Sequence, residues 1–184
     1  MGRPRGFDEA KVVRSAAELF SSRSYDGISV DELVTHLGVH RNSLYKTFGS
    51  KRGLYLAALR WSLEHDIAHV INRVAGADDL AEALQQALAE PTTGAGLDLL
   101  LLAAVERAPV DTEVAEEVTR AFIAFDQATG AAAHTETLNN DTSANLAIAL
   151  TALILGLRLR ARSGAPHTDI NQASATLAHR LNYH

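Results

Sequence analysis

An all-α fold, with a small N-terminal unit of short helices and a larger helical bundle behind it, is predicted by three features of the sequence. Alanine and leucine recur at helical spacing along most of the 184 residues, and only four prolines interrupt them. Alternating runs of β-branched residues, which are typical of strands, are absent. With 47% hydrophobic and 21% charged residues, the chain can bury a sizeable core.

Charge divides the chain into two parts. Residues 1–60 contain ten Lys or Arg and six Asp or Glu, a net charge of +4. Residues 61–184 contain the other seven of the 17 cations and the other sixteen of the 22 acids, a net charge of −9. A basic N-terminal unit on an acidic body indicates that only this unit meets a polyanion such as nucleic acid.

Composition also excludes several classes of protein. The sequence has no cysteine, which excludes disulfides, thiolate metal sites and thiol redox chemistry within it. Its first residues lack the apolar run of a secretory signal. The longest apolar run, 146–157, is about twelve residues and therefore too short to cross a bilayer. We expect a cytoplasmic protein that needs no cofactor, metal or membrane.

The helices of the N-terminal unit are placed by the signals at their ends. Asp8 is a good N-cap for the first helix, which should stop near Ser24. Ser29 and Glu32 form a capping box for the second helix, which Gly38 ends. The third helix then runs over about 40–48, and a fourth begins after Ser50 and continues to about residue 74.

The body reads as an amphipathic bundle. Turn signals predict helices at about 78–90, 95–107, 111–132, 143–163 and 168–182, with breaks at about 91–94, 108–109, 136–141 and 163–166. Asp111 and either Thr142 or Ser143 are the expected caps. The helix at 143–163 is apolar almost all round, so a partner subunit is the simplest cover for it. We expect a homodimer formed through the helices at 111–132, 143–163 and 168–182.

The stretch from Gly38 to Lys51 carries the main functional signal. Two short helices joined through a glycine are what a helix-turn-helix requires. Leu44 and Phe48 should anchor the second of them. The polar side chains left outside can bond to base edges and phosphates in a major groove, although the alternative is a solvated helix face. These side chains are His40, Arg41, Asn42, Ser43, Lys46 and Thr47.

Two cations, Lys51 and Arg52, stand in the first turn of the fourth helix. Cations at this end oppose the helix dipole and should cost a few tenths of a kcal/mol each. A phosphate docked on the start of the helix would reverse the sign, since the free N–H groups and Lys51 would share one anion. Surface cations that are simply tolerated there are the alternative.

Residues 30–59, and above all Leu44-Tyr45-Lys46-Thr47-Phe48-Gly49-Ser50-Lys51, resemble the DNA-binding domain of the TetR family of bacterial transcriptional regulators. The resemblance covers about 7–60 and implies three parts: a flexible basic arm at 1–6, a helix-turn-helix domain at 7–60, and a ligand-binding and dimerisation domain at 61–184. It also implies a dimeric repressor of a palindromic double-stranded DNA operator, released by a small-molecule effector.

The same resemblance implies roles for individual residues. Tyr45, Lys51 and Ser29 would contact phosphate, while Arg41, Asn42, Ser43 and Lys46 would face the groove. Arg3 and Arg5 suit an arm in the minor groove, although a solvated tail is an equally good explanation. From their chemistry alone, the residues of the bundle that could meet an effector are Asp98, Leu101, Phe122 and Phe125, although a cap or exposed position for Asp98 and a core position for the two phenylalanines are the simpler interpretations.

Two other functions stay open from the residues alone. His65 and His69 are four apart on a helix and could share a metal, with Asp66 beside them, which would suit a metal-dependent enzyme. No third ligand follows at a clear spacing, so a polar helix face is the simpler interpretation. An architectural DNA-binding protein without sequence preference is the other alternative.

Overall fold

The computed structural model describes residues 7–78, 80–88, 94–132, 140–164 and Thr176. Every regular element in these residues is helical, which confirms the predicted all-α class. The elements in chain order are α1 (Glu9–Ser22), α2 (Val30–Leu37), α3 (Arg41–Phe48), α4 (Lys51–Ser62), a first π-turn (Leu63–Ile67), α5 (Ala68–Ala75), α6 (Leu80–Leu88), α7 (Gly94–Leu102), a second π-turn (Ala103–Arg107), α8 (Thr112–Ala132) and α9 (Asn140–Arg162).

The predicted end signals of the N-terminal helices are confirmed. The Asp8 carboxylate accepts the Lys11 N–H at 3.2 Å and begins α1. At α2 the Ser29 hydroxyl accepts the Glu32 N–H at 3.1 Å while the Glu32 carboxylate accepts the Ser29 N–H at 2.8 Å. Gly38 ends α2 with φ of 64°, a left-handed conformation in which glycine avoids the strain of a side chain.

Four boundaries differ from the prediction. α1 ends at Ser22 rather than near Ser24. The helix predicted over 50–74 continues to Ala75, but a π-turn interrupts it. A second π-turn likewise ends the helix predicted over 95–107. α9 begins at Asn140, so Thr142 and Ser143 lie inside the helix and the prediction that one of them caps it is wrong.

The remaining boundaries agree or lie outside the described residues. α6 covers most of the predicted 78–90, and α8 follows the predicted cap, with the Val114 N–H donating to the Asp111 carboxylate at 3.4 Å. The predicted breaks at 91–93 and 165–166 lie outside the described residues. So does the predicted helix at 168–182, apart from Thr176, and so does the arm at 1–6.

One apolar core runs from the N-terminal unit into the body. Phe20, Ile28, Leu33 and Leu44 are almost fully buried and hold α1, α2 and α3 together. α1 packs on both α4 and α7, and α8 packs on α5 and α9. Because α4 contacts the short helices at one end and the body at the other, it positions the N-terminal unit. The predicted domain boundary after residue 60 lies within this helix.

Ion pairs join α4 to α8. The Arg52 guanidinium donates two hydrogen bonds of 2.7 Å to Asp111 and one of 3.0 Å to Glu113. Further along α4, Arg60 donates to Glu113 and to the buried Glu117, both at 2.6 Å. Arg52 therefore has carboxylate partners of its own in the structure. A docked phosphate is not needed to explain this cation in the first turn of α4.

The apolar segment of α9 is longer than its central run, 146–157, suggested. An 18-residue stretch within Ser143–Arg162 has a mean hydropathy of 1.5, so by length and composition this helix could cross a membrane. The expectation that this segment is too short, which counted only 146–157, is therefore wrong for the helix as a whole. The core helices of soluble proteins have the same character. Here α9 packs on α7 and α8, and Arg158 near its end pairs with Asp98 of α7.

We predict a specific acid sensitivity from the Arg52–Asp111 pair. The hydrogen bonds from Arg52 lower the pKa of Asp111 from 3.8 to about 2. Since the folded-state pKa is depressed, the stabilisation is fully present above about pH 4 and is lost as the pH falls through about 2. Asp111→Asn should lower the free energy of unfolding at pH 7 and flatten its fall between those two pH values, as measured by urea unfolding.

Asp126→Asn is the matched control for this prediction, because Asp126 on the same helix makes no ion pair with the described residues. This control should keep the acid profile of the unmodified protein. An Asp111→Asn variant whose stability falls as steeply with acid as that of the unmodified protein would contradict the assignment.

Candidate DNA-binding interface

The geometry of α3 separates anchoring side chains from exposed ones. Leu44 is fully buried and Phe48 is half-buried against the core, so they fix the inner side of the helix. Tyr45 is 39% exposed although it is a large aromatic residue. The outer side carries the polar residues predicted to read DNA. His40, Arg41, Asn42, Lys46 and Thr47 are exposed and Ser43 is half-buried.

Arg41 has a partner that the sequence did not suggest. Its guanidinium pairs with the carboxylate of Asp31 on α2, where both side chains are largely exposed. An exposed pair of this kind contributes little stability, up to about 1 kcal/mol. It does fix where the guanidinium lies in the absence of DNA. Asp31 therefore positions one of the predicted groove-facing residues.

Lys51 also has an intramolecular role. Its ammonium donates a 2.6 Å hydrogen bond to the Tyr25 carbonyl and lies 4.1 Å from the centroid of the Tyr25 ring. Burial lowers the pKa of Lys51. An ammonium has three donors, so the remaining ones can still reach a phosphate. The structure thus ties Lys51 to the turn before α2, and its predicted phosphate contact stays a prediction.

The turn at Tyr25 also contacts the body. The Tyr25 N–H donates to the Glu106 carboxylate at 3.0 Å, and the Arg107 guanidinium lies 4.4 Å from the ring centroid. Glu106 and Arg107 belong to the second π-turn. These contacts link the helix-turn-helix to the end of α7. Sequence reasoning missed all three residues, and the only available signal was an adjacent pair of opposite charges at the end of an apolar helix.

Ser29 lies at the exposed start of α2, where its hydroxyl is already used by the capping box. Glu32 of the same box also accepts from Arg23 at 2.9 Å. Of the hydrogen bonds that lower the pKa of Glu32 to about 2, the one from the Ser29 N–H contributes most. The predicted arm residues Arg3 and Arg5 lie outside the described residues.

The candidate effector residues are spread through the bundle. Phe125 is fully buried, while Leu101 and Phe122 are half-buried. Asp98 pairs with Arg158 at 2.9 Å and with Arg162 at 3.1 Å, so its carboxylate already has two cations. An effector that bonded to Asp98 would have to share it with these arginines.

The histidines at 65 and 69 form no metal site with other described residues. Among those residues no group of three potential ligands comes together. His65 donates through Nδ1 to the Trp61 carbonyl at 2.8 Å, and its ring stacks on the Trp61 ring at 4.7 Å. His69 lies exposed on α5. The simpler interpretation, a polar helix face, describes these residues.

A capped α2, a left-handed turn at Gly38 and a short α3 that presents basic and polar side chains define a helix-turn-helix DNA-binding protein. Residues 12–58 match the family model described as "Bacterial regulatory proteins, tetR family". Residues 12–58 therefore form a DNA-binding domain of the TetR type.

Curated relatives agree with this assignment. Over 127 residues the chain is 35% identical to YezE, an uncharacterized HTH-type transcriptional regulator of Bacillus subtilis, and the match covers 65% of each chain. Over 58 residues it is 41% identical to the HTH-type transcriptional repressor BdcR of Escherichia coli. That match covers 32% of this chain and 29% of BdcR. The chain thus matches less than two thirds of the length of these relatives.

The complete fold also has solved counterparts. The structure of a cysteine mutant of the TetR family regulator CifR, bound to a 26-base-pair operator duplex, superposes with a TM-score of 0.72. The superposition covers 97% of each chain at 21% identity. At this identity the likeness establishes the fold, including the helical C-terminal domain.

The contacts of Lys51 predict a stability effect separate from any DNA contact. Lys51→Met removes the hydrogen bond to the Tyr25 carbonyl and should lower the free energy of unfolding by about 1 kcal/mol. Lys46→Met is the matched control. Lys46 is exposed on α3 and has no partner among the described residues, so its loss should change stability by less than about 0.5 kcal/mol. Urea unfolding measures both, and equal stability of the two variants would contradict the structural role of Lys51.

Proposed function

We propose that the protein is a transcriptional repressor that binds a palindromic operator as a homodimer and releases it when a small molecule binds the C-terminal domain. The observation that carries this proposal is the exposed polar and basic face of α3, anchored by Leu44 and Phe48 in a TetR-type helix-turn-helix. No enzymatic activity is proposed, and the proposed location is the cytoplasm.

The residue roles follow from exposure and chemistry. Tyr45, with its exposed hydroxyl-bearing ring, and Lys51, at the start of α4, are the proposed phosphate contacts together with Ser29. Arg41, Asn42, Ser43 and Lys46, with His40 and Thr47 beside them, are the proposed base-reading set. Arg3 and Arg5 are the proposed minor-groove contacts.

An apolar surface on α8 and α9 supports dimerisation. Ile123 of α8 is 51% exposed, and Ile148 and Leu159 of α9 are 57% and 54% exposed. Between the two helices an apolar groove of about 420 Å³ is lined by Ile123, Ala147 and Ile148. Exposed apolar surface of this kind marks an interaction site. A second copy of the same two helices is the proposed cover.

The ion pairs between α4 and α8 support a route from effector to DNA. An effector near Asp98, Leu101, Phe122 and Phe125 would contact α7 and α8, and α8 holds α4 through Arg52 and Arg60. The effector is proposed to favour a dimer in which the two α3 helices no longer match half-sites one turn, about 34 Å, apart.

Operator binding is tested by capturing genomic fragments with the purified protein and measuring affinities by mobility shift. We expect a palindromic sequence bound at least about a thousandfold more tightly than random duplex. Equal affinity for random duplex would instead identify an architectural DNA-binding protein and contradict the proposal.

Two variants separate positioning from base reading on that operator. Tyr45→Phe should weaken binding to all sequences by a similar factor, because it removes only a phosphate contact. Lys46→Ala should cost about 1–3 kcal/mol at one base pair and relax the preference there. A Lys46→Ala protein with an unchanged preference among operator variants would show that α3 docks differently.

Dimerisation is tested by Ile148→Glu, which places a charge on the exposed face of α9. We expect a monomer by light scattering and a loss of operator binding, because burying an unpaired carboxylate opposes association. Val110→Glu is the matched control, since Val110 is 71% exposed in the turn before α8. A dimeric Ile148→Glu protein would place the interface elsewhere.

A further inference from the structure

We propose that a cavity between α1, the end of α4 and the start of α7 binds a small organic cation, an ammonium group on a compact apolar body. This junction cavity has a volume of about 320 Å³ and includes Trp61, Ser62 and Asp66 on one side and Ala17 and Glu18 of α1 on the other. It is separate from the candidate effector residues named above.

Small residues create the space in which Asp66 lies. Ala17 of α1 and Ala95 of α7 line the junction cavity. Gly96 of α7 lies so close to Asp66 that a Cβ added there would be 2.6 Å from the Asp66 Cβ. Any larger residue at position 96 would push the Asp66 side chain aside. Ala95 and Gly96 therefore leave room for the Asp66 carboxylate beside the cavity.

No cation among the described residues forms an ion pair with the Asp66 carboxylate, although His65 and Arg14 are close enough to lower its pKa. It accepts one hydrogen bond, from the Ser62 hydroxyl at 3.0 Å, and it forms no ion pair with the described residues. Burial raises the pKa of Asp66. A partly buried carboxylate that is bonded only to a hydroxyl costs free energy unless a cation joins it. An ammonium ligand would supply that cation and several N–H donors.

Trp61 supplies an aromatic wall that suits the same ligand. The His65 ring stacks on the indole at an interplanar angle of 13°, and His65 Nδ1 donates to the Trp61 carbonyl. These contacts hold the indole in place beside the cavity. Tryptophan is the side chain that attracts cations most strongly through its ring face. His65 covers one face of the indole, so an ammonium group bound beside Asp66 would have to meet the other face.

The remaining charges favour a cation over an anion. Arg14 and Glu18, both largely exposed, form a 3.3 Å ion pair beside the junction cavity and offset each other. With Arg14, Glu18 and Asp66 among them, the lining residues carry one more negative than positive charge. The volume lies at the lower end of the range for small-molecule sites, which favours a compact ligand.

An occupant of the junction cavity would contact α1 of the DNA-binding unit as well as α4 and α7. A coupling between this cation and operator affinity rests on the proposed function. Binding of the cation does not, because it can be measured without DNA.

Trp61 is the only tryptophan in the chain and lines the cavity, so its fluorescence reports on this site. We would titrate the protein with 2-phenylethylamine and with the neutral 2-phenylethanol, and repeat both by calorimetry. We expect a saturable change in Trp61 emission with the amine and at least about tenfold weaker binding of the alcohol. Equal binding of the two compounds, or no saturable signal from the amine up to about 10 mM, would overturn the proposal.

Asp66→Asn tests the carboxylate itself. Asparagine keeps an acceptor for the Ser62 hydroxyl and removes the desolvated charge, so the melting temperature should not fall. The dissociation constant for the amine should rise at least about tenfold, while Asp126→Asn should leave it unchanged. Unchanged affinity in Asp66→Asn would overturn the assignment. If that variant does not fold, the amine and alcohol comparison on the unmodified protein decides alone.

The two proposals fail in different ways. If the amine binds but no operator is found, the result supports the cavity proposal and contradicts the proposed regulatory function. If an operator is bound and the amine is not, only the cavity proposal falls.

Discussion

The ion pairs that fix α4 to α8 are the constraint on which the rest of this structure depends. α4 carries Lys51 at one end, next to the turn at Tyr25, and leads at the other end into the π-turn that carries Asp66. Arg52 and Arg60 fix the helix to Asp111, Glu113 and Glu117. Without Arg52 the buried Asp111 would keep Arg107, at 3.6 Å, and without Arg60 the buried Glu117 would keep Arg120, at 2.6 Å, so each loss weakens the tie between α4 and α8 without leaving a carboxylate unpaired. The direction of α4 is therefore strongly determined.

Three further contacts attach the N-terminal unit to the body, and all are polar. Glu106 and Arg107 contact Tyr25, and Arg162 of α9 donates to the Ser21 carbonyl at 2.7 Å while it also pairs with Asp98. Polar contacts of this kind can be exchanged for water with small net changes in free energy. The apolar core beneath these polar contacts is continuous between the N-terminal unit and the body, and it stabilises the fold. Small changes at these polar contacts are what the proposed ligand-dependent release of DNA would use.

Local signals in the sequence predicted the helix-turn-helix well, because its determinants are close together along the chain. Ser29, Glu32 and Gly38 each act on the helix that they flank, and the pattern of Leu44 and Phe48 fixes which side of α3 is buried. The contacts between the helix-turn-helix unit and the body were not predictable in this way. Tyr25 and Glu106 are 81 residues apart. The π-turns were missed because one extra residue per turn barely alters a hydrophobic pattern.

In the proposed docking of α3 on DNA, the exposed pair between Arg41 and Asp31 would affect how the operator is selected. The pair contributes at most about 1 kcal/mol, since both side chains are largely solvated. A guanidinium that bonds to a guanine with two hydrogen bonds gains about 1–3 kcal/mol of discrimination. In that docking Arg41 would leave Asp31 for a correct base and stay with it when the base is wrong. Breaking the pair would subtract its stabilisation, at most about 1 kcal/mol, from the gain at the correct base, so Asp31 would lower the discrimination that Arg41 provides. The carboxylate next to the groove would also repel phosphate, which weakens specific and non-specific binding alike.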